Sequence, residues 1–296
     1  MKPFQHIAFC LENNSVSAVE IEINKTTQIL TYGDYKSQVN FDDLDSLPSK
    51  KNIIIPEFKN FLNSIKSVSP NISFALNSRS VFLSTIPVDA NLKETELKSV
   101  IEWEFNKYFS NSNPNDYLIS SHKLPSQIKS PFYNYLIVGI RNTLISLLEE
   151  VAKSLNKKLN IIELDHFGAE HLLNSVNNKI KSQRVVLIGA DENSYDLSIL
   201  SNGQSEQFAN FTSDDDKSFD RITKLLLEQR VTQIFVYGRF TESIISSPLT
   251  KLISIPISYL NPFEFLEFSK SKKIGNDSKQ FLSRFSASAG LALRIE

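Results

Sequence analysis

IAFCLENNSVSAVEIEI, residues 7–23, reads as two strands joined by a tight polar turn. Ile7, Ala8, Phe9 and Leu11 make the first strand apolar. In the second, Val19, Ile21 and Ile23 alternate with Glu20 and Glu22, the period of a strand with one buried face. The turn is Glu12-Asn13-Asn14-Ser15. Phosphate-binding hairpins place an acid and a glycine here, so that backbone N–H groups can approach a nucleotide. This turn has neither the glycine nor a well-placed aspartate, so a nucleotide-binding architecture is predicted around a compromised nucleotide site.

Composition narrows the class. A chain of 296 residues can bury a large core, and 41% hydrophobic with 22% charged residues is ordinary for a globular protein. The formal charge of -1 gives no support for a nucleic-acid footprint built on bulk positive charge. Cys10, the single cysteine, lies in the apolar first strand and reads as a core residue in a reducing compartment. No signal-peptide pattern is present, and no apolar run approaches the ~20 residues that cross a bilayer. A soluble protein is expected.

Along the chain, residues 34–51 are polar and aperiodic and read as a connection. A helix is predicted over 56–68, with Pro56 near its start and Phe58, Phe61, Leu62 and Ile65 on one face. Two short strands follow within 72–86, ended by Pro87. Asn91 and Glu94 resemble a capping box for a helix bearing Leu97, Val100, Ile101, Phe105 and Tyr108. In that helix Trp103 reads as a packed aromatic between solvated Glu102 and Glu104. Strands at 117–121 and 133–139, a helix at 143–155, a strand at 161–164 and a helix through Ala169, Leu172, Leu173 and Val176 complete the first half, and 177–184 reads as a linker.

Then the opening theme recurs: residues 185–190, a polar turn, and Tyr195, Leu197 and Ile199 in alternation make a second hairpin, a weak duplication that suggests two similar halves facing a cleft. Asp214-Asp215-Asp216 reads as the charged first turn of a helix rather than a metal loop. Residues 234–238 form a strand ending in glycine, and the closing helix has Ala287, Ala289, Gly290 and Ala292 for close packing on a neighbour. His6, His122, His166 and His171 show no metal-ligand spacing, so no metal site is expected.

The stretches VFLSTIP (81–87), VIEWEFNKYF (100–109), YLIVGIRNTLISLLEEVAKSLN (135–156), IIELDHFGAEHLL (161–173), YLNPFEFL (259–266) and ASAGLALR (287–294) together resemble the PilM family of type IV pilus assembly proteins, related in fold to FtsA. The resemblance implies an α/β, actin-like (ribonuclease H-like) two-lobed fold with an inserted small α+β subdomain. It implies a first lobe of 1–82 and 165–183 closed by 279–296, an insertion at 83–164, and a second lobe of 184–278 with a shortened outer part.

Departures from the family pattern fall on the nucleotide loops. Cys10, Glu12 and Asn13 stand where the family has Asp-x-Gly-Ser, removing the magnesium-side carboxylate and putting a negative charge in place of a glycine. Leu187-Ile188-Gly189 stands for Asp-Ile-Gly, and the adenosine loop is reduced to Gly238 followed by Arg239. No catalytic residue, no ATP or magnesium cofactor and no enzyme activity are therefore expected. The resemblance implies a scaffold peripheral to the cytoplasmic face of the inner membrane. Its partners would be other platform proteins and the cytoplasmic tail of a PilN-like membrane protein, seated between core and insertion, with Phe82 and Glu102 as groove candidates and no direct membrane insertion. The alternative is a divergent actin-like ATPase or sugar-kinase relative using Asp191, Glu192 or Asp196.

Overall fold

The structure, a computed structural model, describes residues 3–108, 114–125, 131–176, 183–212, 218–247, 250, 254–269 and 278–294. The opening hairpin forms as its pattern predicts: β1 (Phe4–Glu12) and β2 (Ser15–Ile23) pair antiparallel, Glu12 opposite Ser15. Unlike the expected one-sided strand, β2 is buried on both faces. Val16 and Ala18 join the core beneath one side, Val19 and Ile21 that beneath the other. Glu20 is consequently fully buried; its Oε1 accepts the N–H groups of Val68 (3.1 Å) and Ser69 (2.9 Å), while its Oε2 has no hydrogen-bond partner.

A third strand, β3 (Thr27–Lys36), pairs with β2. Sequence reading misses it because Gly33 and Asp34 have low strand propensity. A Cβ at Gly33 would lie 3.0 Å from Ile65 Cγ2, so the glycine there is spacing for the helix that follows. That helix, α1 (Lys51–Ser64), begins five residues before Pro56, because Ile54 and Phe58 enter the core on either side of the proline. Core burial outweighs the one backbone hydrogen bond the proline cannot make.

Strand β4 (Asn71–Leu76) runs parallel to β1, and the chain then leaves to build a separate antiparallel sheet, order β5-β7-β6, from β5 (Phe82–Asp89), β6 (Tyr117–Leu124) and β7 (Phe132–Arg141). Pro87 does not end β5 but lies inside it, opposite Asn134, which an edge strand tolerates. Helix α2 (Glu94–Tyr108) covers one face of this sheet through Ile101, while Leu124, Leu136, Val138 and Ile140 join the first-lobe core on the other. Glu96, rather than Glu94, closes the start of α2, accepting from the Lys93 N–H at 2.9 Å. Trp103 is 60% exposed rather than packed, with Lys107 Nζ 3.3 Å from its ring centroid.

Helix α3 (Asn142–Ser154) and strand β8 (Lys158–Leu164) return to the first lobe: α3 packs in its core, and β8 pairs parallel with β4. Residues 83–164 thus divide, the stretch up to β7 forming the small sheet and α3 and β8 belonging to the larger one. Helix α4 (Asp165–Val176) follows; the linker 177–184 lies outside the described residues up to 182.

The second half repeats the first. Strands β9 (Arg184–Ala190), β10 (Ser194–Ser201), β11 (Gln204–Thr212), β12 (Gln233–Tyr237) and β13 (Ile257–Tyr259) are ordered β11-β10-β9-β12-β13. The first sheet reads β3-β2-β1-β4-β8, with β14 (Glu267–Phe268) added beside β3. In both, three antiparallel strands precede two parallel ones, so the weak repeat in sequence is a repeat of topology. The second sheet is backed by α5 (Ser218–Glu228), whose Ile222 and Leu226 are buried. The Asp214–Asp216 run before it lies outside the described residues, and α6 (Thr241–Ile245) follows β12. Beyond α7 (Lys279–Ser283), the closing helix α8 (Ser286–Leu293) packs with α4 in the core cluster that joins the two sheets. No helix among the described residues is long and apolar enough to cross a membrane.

Candidate functional site

The two hairpin turns face each other across a cleft, and side chains of the protein close it. Asn13, held at φ 46° in the left-handed region, donates from Nδ2 to Glu192 Oε2 of the opposite turn at 2.6 Å. From the loop after β4, Asn77 Nδ2 donates to Asp191 Oδ2, while its Oδ1 accepts the Arg79 N–H at 2.8 Å. Arg239, on the loop after β12, reaches from the second lobe into the first: Nε donates to Glu12 Oε2 at 3.1 Å and Nη1 to Asp34 Oδ2 at 3.1 Å. Arg284 adds a bond to the same Asp34 oxygen at 3.0 Å.

Tyr237 fills the centre. Its hydroxyl bonds His166 Nδ1 at 3.1 Å, and His166 Nε2 bonds Ser198 Oγ at 2.9 Å, which fixes the ring. A Cβ at Gly189 would lie 2.5 Å from that hydroxyl, so the glycine retained from the phosphate-hairpin pattern makes room for Tyr237. Gly238 is at φ 104°, and a Cβ there would meet the Ala190 carbonyl oxygen at 2.5 Å. Leu187 points into the core and is fully buried. What is left of the cleft, between Glu12, Asn77, Asp165, Asp191, Asp196 and Tyr237, is a cavity of about 10 Å³. One water would fill it.

The electrostatics are those of carboxylates withdrawn from water. Burial lifts Glu12 to about 7, Asp191 adding to the shift and Arg239 opposing it. Burial, with the neighbouring carboxylates, also pushes Asp165 well up, and burial chiefly raises Asp196, whose Oδ1 accepts from Asn210 Nδ2. The Cys10 thiol, fully buried, is driven up by burial and by Glu12, to whose Oε1 it donates at 3.5 Å. Donor atoms of Cys10, Glu12 and Asp165 lie within 4.8 Å of one another. This set does not fit a magnesium–nucleotide pair. The thiol is protonated and soft, Glu12 is already neutralised by Arg239, and the cavity is far below the several hundred Å³ a nucleotide fills.

Of the residues singled out in sequence, Cys10, Glu12, Asn13, Gly189, Gly238, Arg239, Asp191, Glu192 and Asp196 converge here. Asp34, Asn77, Asp165 and Tyr237 complete the site and were not anticipated. Asp165 carries a readable signal, an acid at the first position of a helix following a strand. Asn77, Asp34 and Tyr237 are brought in only by the tertiary fold. Two of the histidines, His6 and His166, behave as core residues, His6 bonding the Ala292 carbonyl (3.0 Å) and Ser73 Oγ (2.8 Å), whereas His122 is exposed and His171 partly buried.

The two groove candidates do not share a groove. Phe82, half-buried with its ring 4.9 Å from Phe105, lines a cleft of about 410 Å³ between core and small sheet, together with Leu44, Arg79 and Arg141. Glu102 is exposed and lines a larger groove of about 860 Å³ between α2 and β6. Tyr117 borders both.

No protein-family model and no curated protein matches the sequence. Solved structures do. A chain of the PilM–PilN type IV pilus biogenesis complex superposes with a TM-score of 0.77 at 12% identity, covering 97% of each chain. A Bacteroides thetaiotaomicron protein of actin-like ATPase fold and unknown function gives 0.52 at 10% identity, over 86% of this chain and 90% of that one. The cytoplasmic domain of EpsL, an inner membrane component of the Vibrio cholerae type II secretion system, gives 0.50 at 6% identity, over 98% and 96%. The fold is actin-like and PilM-like, as the sequence resemblance implied.

Proposed function

We propose that this chain is a non-catalytic actin-like scaffold of a type IV pilus or type II secretion-like platform, cytoplasmic and held at the inner membrane through its partners. The observation that carries the non-catalytic reading is the closed cleft, in which Arg239, Glu12 and Asp34 join the lobes where a nucleotide would otherwise bridge them. Likeness in fold to the PilM–PilN chain supports the partner: the cytoplasmic tail of a PilN-like membrane protein, bound by the Phe82 cleft between core and small sheet. A cleft of about 410 Å³ with an aromatic floor and two arginines on its walls suits one or two anchoring side chains of an extended peptide.

The test is fluorescence anisotropy with a labelled peptide of the tail of a PilN-like protein from the same genome. Binding is expected, with Phe82→Ala weakening it at least about tenfold, the loss of one aromatic anchor. No binding, or equal binding by the variant, would remove the tail-groove reading.

A further inference from the structure

The groove holding Glu102 has a form of its own. Its walls are α2, through Leu97, Ile101 and Glu102, and β6, through Tyr117, Ile119 and Ser120. Side chains alternate across a strand, so a groove that touches both Ile119 and Ser120 runs along the strand's backbone and not over one face of the sheet. The sheet order β5-β7-β6 leaves two edges. At β5 the edge carries Pro87, which has no N–H to offer. Among the described residues no strand pairs with the outer edge of β6, and no proline interrupts it. Its lysine, Lys123, stands near the far end and is drawn over the Tyr133 ring at 3.2 Å. A helix lying beside an unpaired strand edge, with apolar side chains between them, is the geometry of β-strand addition, and β11 of the second sheet approaches β6 without pairing to it.

Charge states what the added strand carries. Glu94, Lys98 and Glu102 occupy successive turns of one α2 face, all exposed, so the groove wall has two carboxylates to one ammonium. Lys98 approaches Glu102 only to 3.9 Å, with both side chains in solvent, so that pair leaves the acidic wall weakly screened.

We propose that the groove between α2 and the edge of β6 is a docking site for an extended segment of a partner protein. The segment places alternate apolar side chains against Leu97, Ile101 and Ile119 and a lysine or arginine against Glu94 and Glu102. It pairs with β6 and extends the small sheet to four strands. A second copy of this chain is a poorer occupant, because edge-to-edge pairing of two β6 strands would bring the two acidic α2 walls together. This site is separate from the Phe82 cleft, and the fate of one does not decide the other.

The test uses the full chain and a random dodecapeptide library displayed on phage. Peptides of alternating apolar pattern with a basic residue are expected to be selected. By hydrogen–deuterium exchange each should protect amides of β6. Each should bind at least about tenfold more weakly to the doubly substituted Glu94→Lys, Glu102→Lys protein, whose exposed positions leave the fold intact by circular dichroism, and unchanged to Phe82→Ala. The proposal is overturned if no such peptide is selected, if protection falls outside β6, or if the double variant binds as well as wild type. A dimer in sedimentation that is lost when β6 is occupied would replace it with self-association.

Discussion

Gly290→Ala is expected to cost about 4 kcal/mol or more and to lower Tm by roughly 10 °C, measured by urea and thermal unfolding. The added methyl would overlap the Gly168 carbonyl oxygen and lie 2.8 Å from the Leu172 nitrogen. Both are backbone atoms of α4, so no flexible side chain can yield. Reciprocally, a Cβ at Gly168 would lie 2.6 Å from the Ala287 carbonyl oxygen. The α4–α8 crossing also holds the two sheets together, so local relief by separating the helices would open the shared core. Ser288→Ala is the control: it removes only a 3.1 Å bond to the Phe285 carbonyl in its own helix, and should cost under about 1 kcal/mol. A small effect at Gly290 would mean that the closing helix is not the fixed element described above.

Arg239→Ala should destabilise by about 3–5 kcal/mol at pH 8, the cost of leaving a buried charge without its partner. Asp34 keeps Arg284, so the burden falls on Glu12, which is 5% exposed. The sign with pH follows from Glu12 itself. Its folded value of about 7 lies above the ordinary 4.5, so the folded state holds the proton more tightly and stability falls as pH rises from about 4.5 to 7. At pH 8 that deficit is about 3–4 kcal/mol at about 1.4 kcal/mol per pH unit. Glu12→Gln should therefore stabilise at pH 8, with the gain fading towards pH 4.5, and should recover much of the loss when combined with Arg239→Ala. His6 and His166, lowered by burial to about 4 and about 3, act in the opposite sense, because the unfolded chain takes up their protons as pH falls below about 6.5. Asp165 and Asp196, also raised by burial, act in the sense of Glu12, so the wild-type profile is a balance of acids and histidines and the Glu12 contribution is read as the difference between wild type and Glu12→Gln at each pH. Unfolding of the four proteins in urea at pH 5, 6.5 and 8 reads all of this.

The strands and helices that a periodic pattern announces were legible in sequence: the two hairpins, α3, and the small-residue face of α8. Strands β3 and β11 were not, because Gly33 and Asp34 in one and the polar QSEQ start of the other mask alternation, and their pairing comes from the hairpins beside them. Proline was read too strictly, since Pro56 is carried by core burial around it and Pro87 by an edge position. At the cleft, the departures at Cys10, Glu12 and Arg239 were visible as residues that do not suit phosphate. What sequence did not show is that they suit one another. That required Asp34 and Asp165, distant in the chain, to arrive at the same place. It also alters what a reversion would do. Cys10→Asp with Glu12→Gly puts a new carboxylate beside Asp165 and removes one of the two partners of Arg239.

The most direct measurement of the central claim, that the protein's own side chains close the cleft, is a calorimetric titration of the full chain with ATP and magnesium, followed by a phosphate-release assay on the same sample. No saturable heat and no release above buffer are expected for the wild type. Saturable binding with hydrolysis would show that the Arg239–Glu12–Asp34 network opens to admit a nucleotide, and would contradict the account.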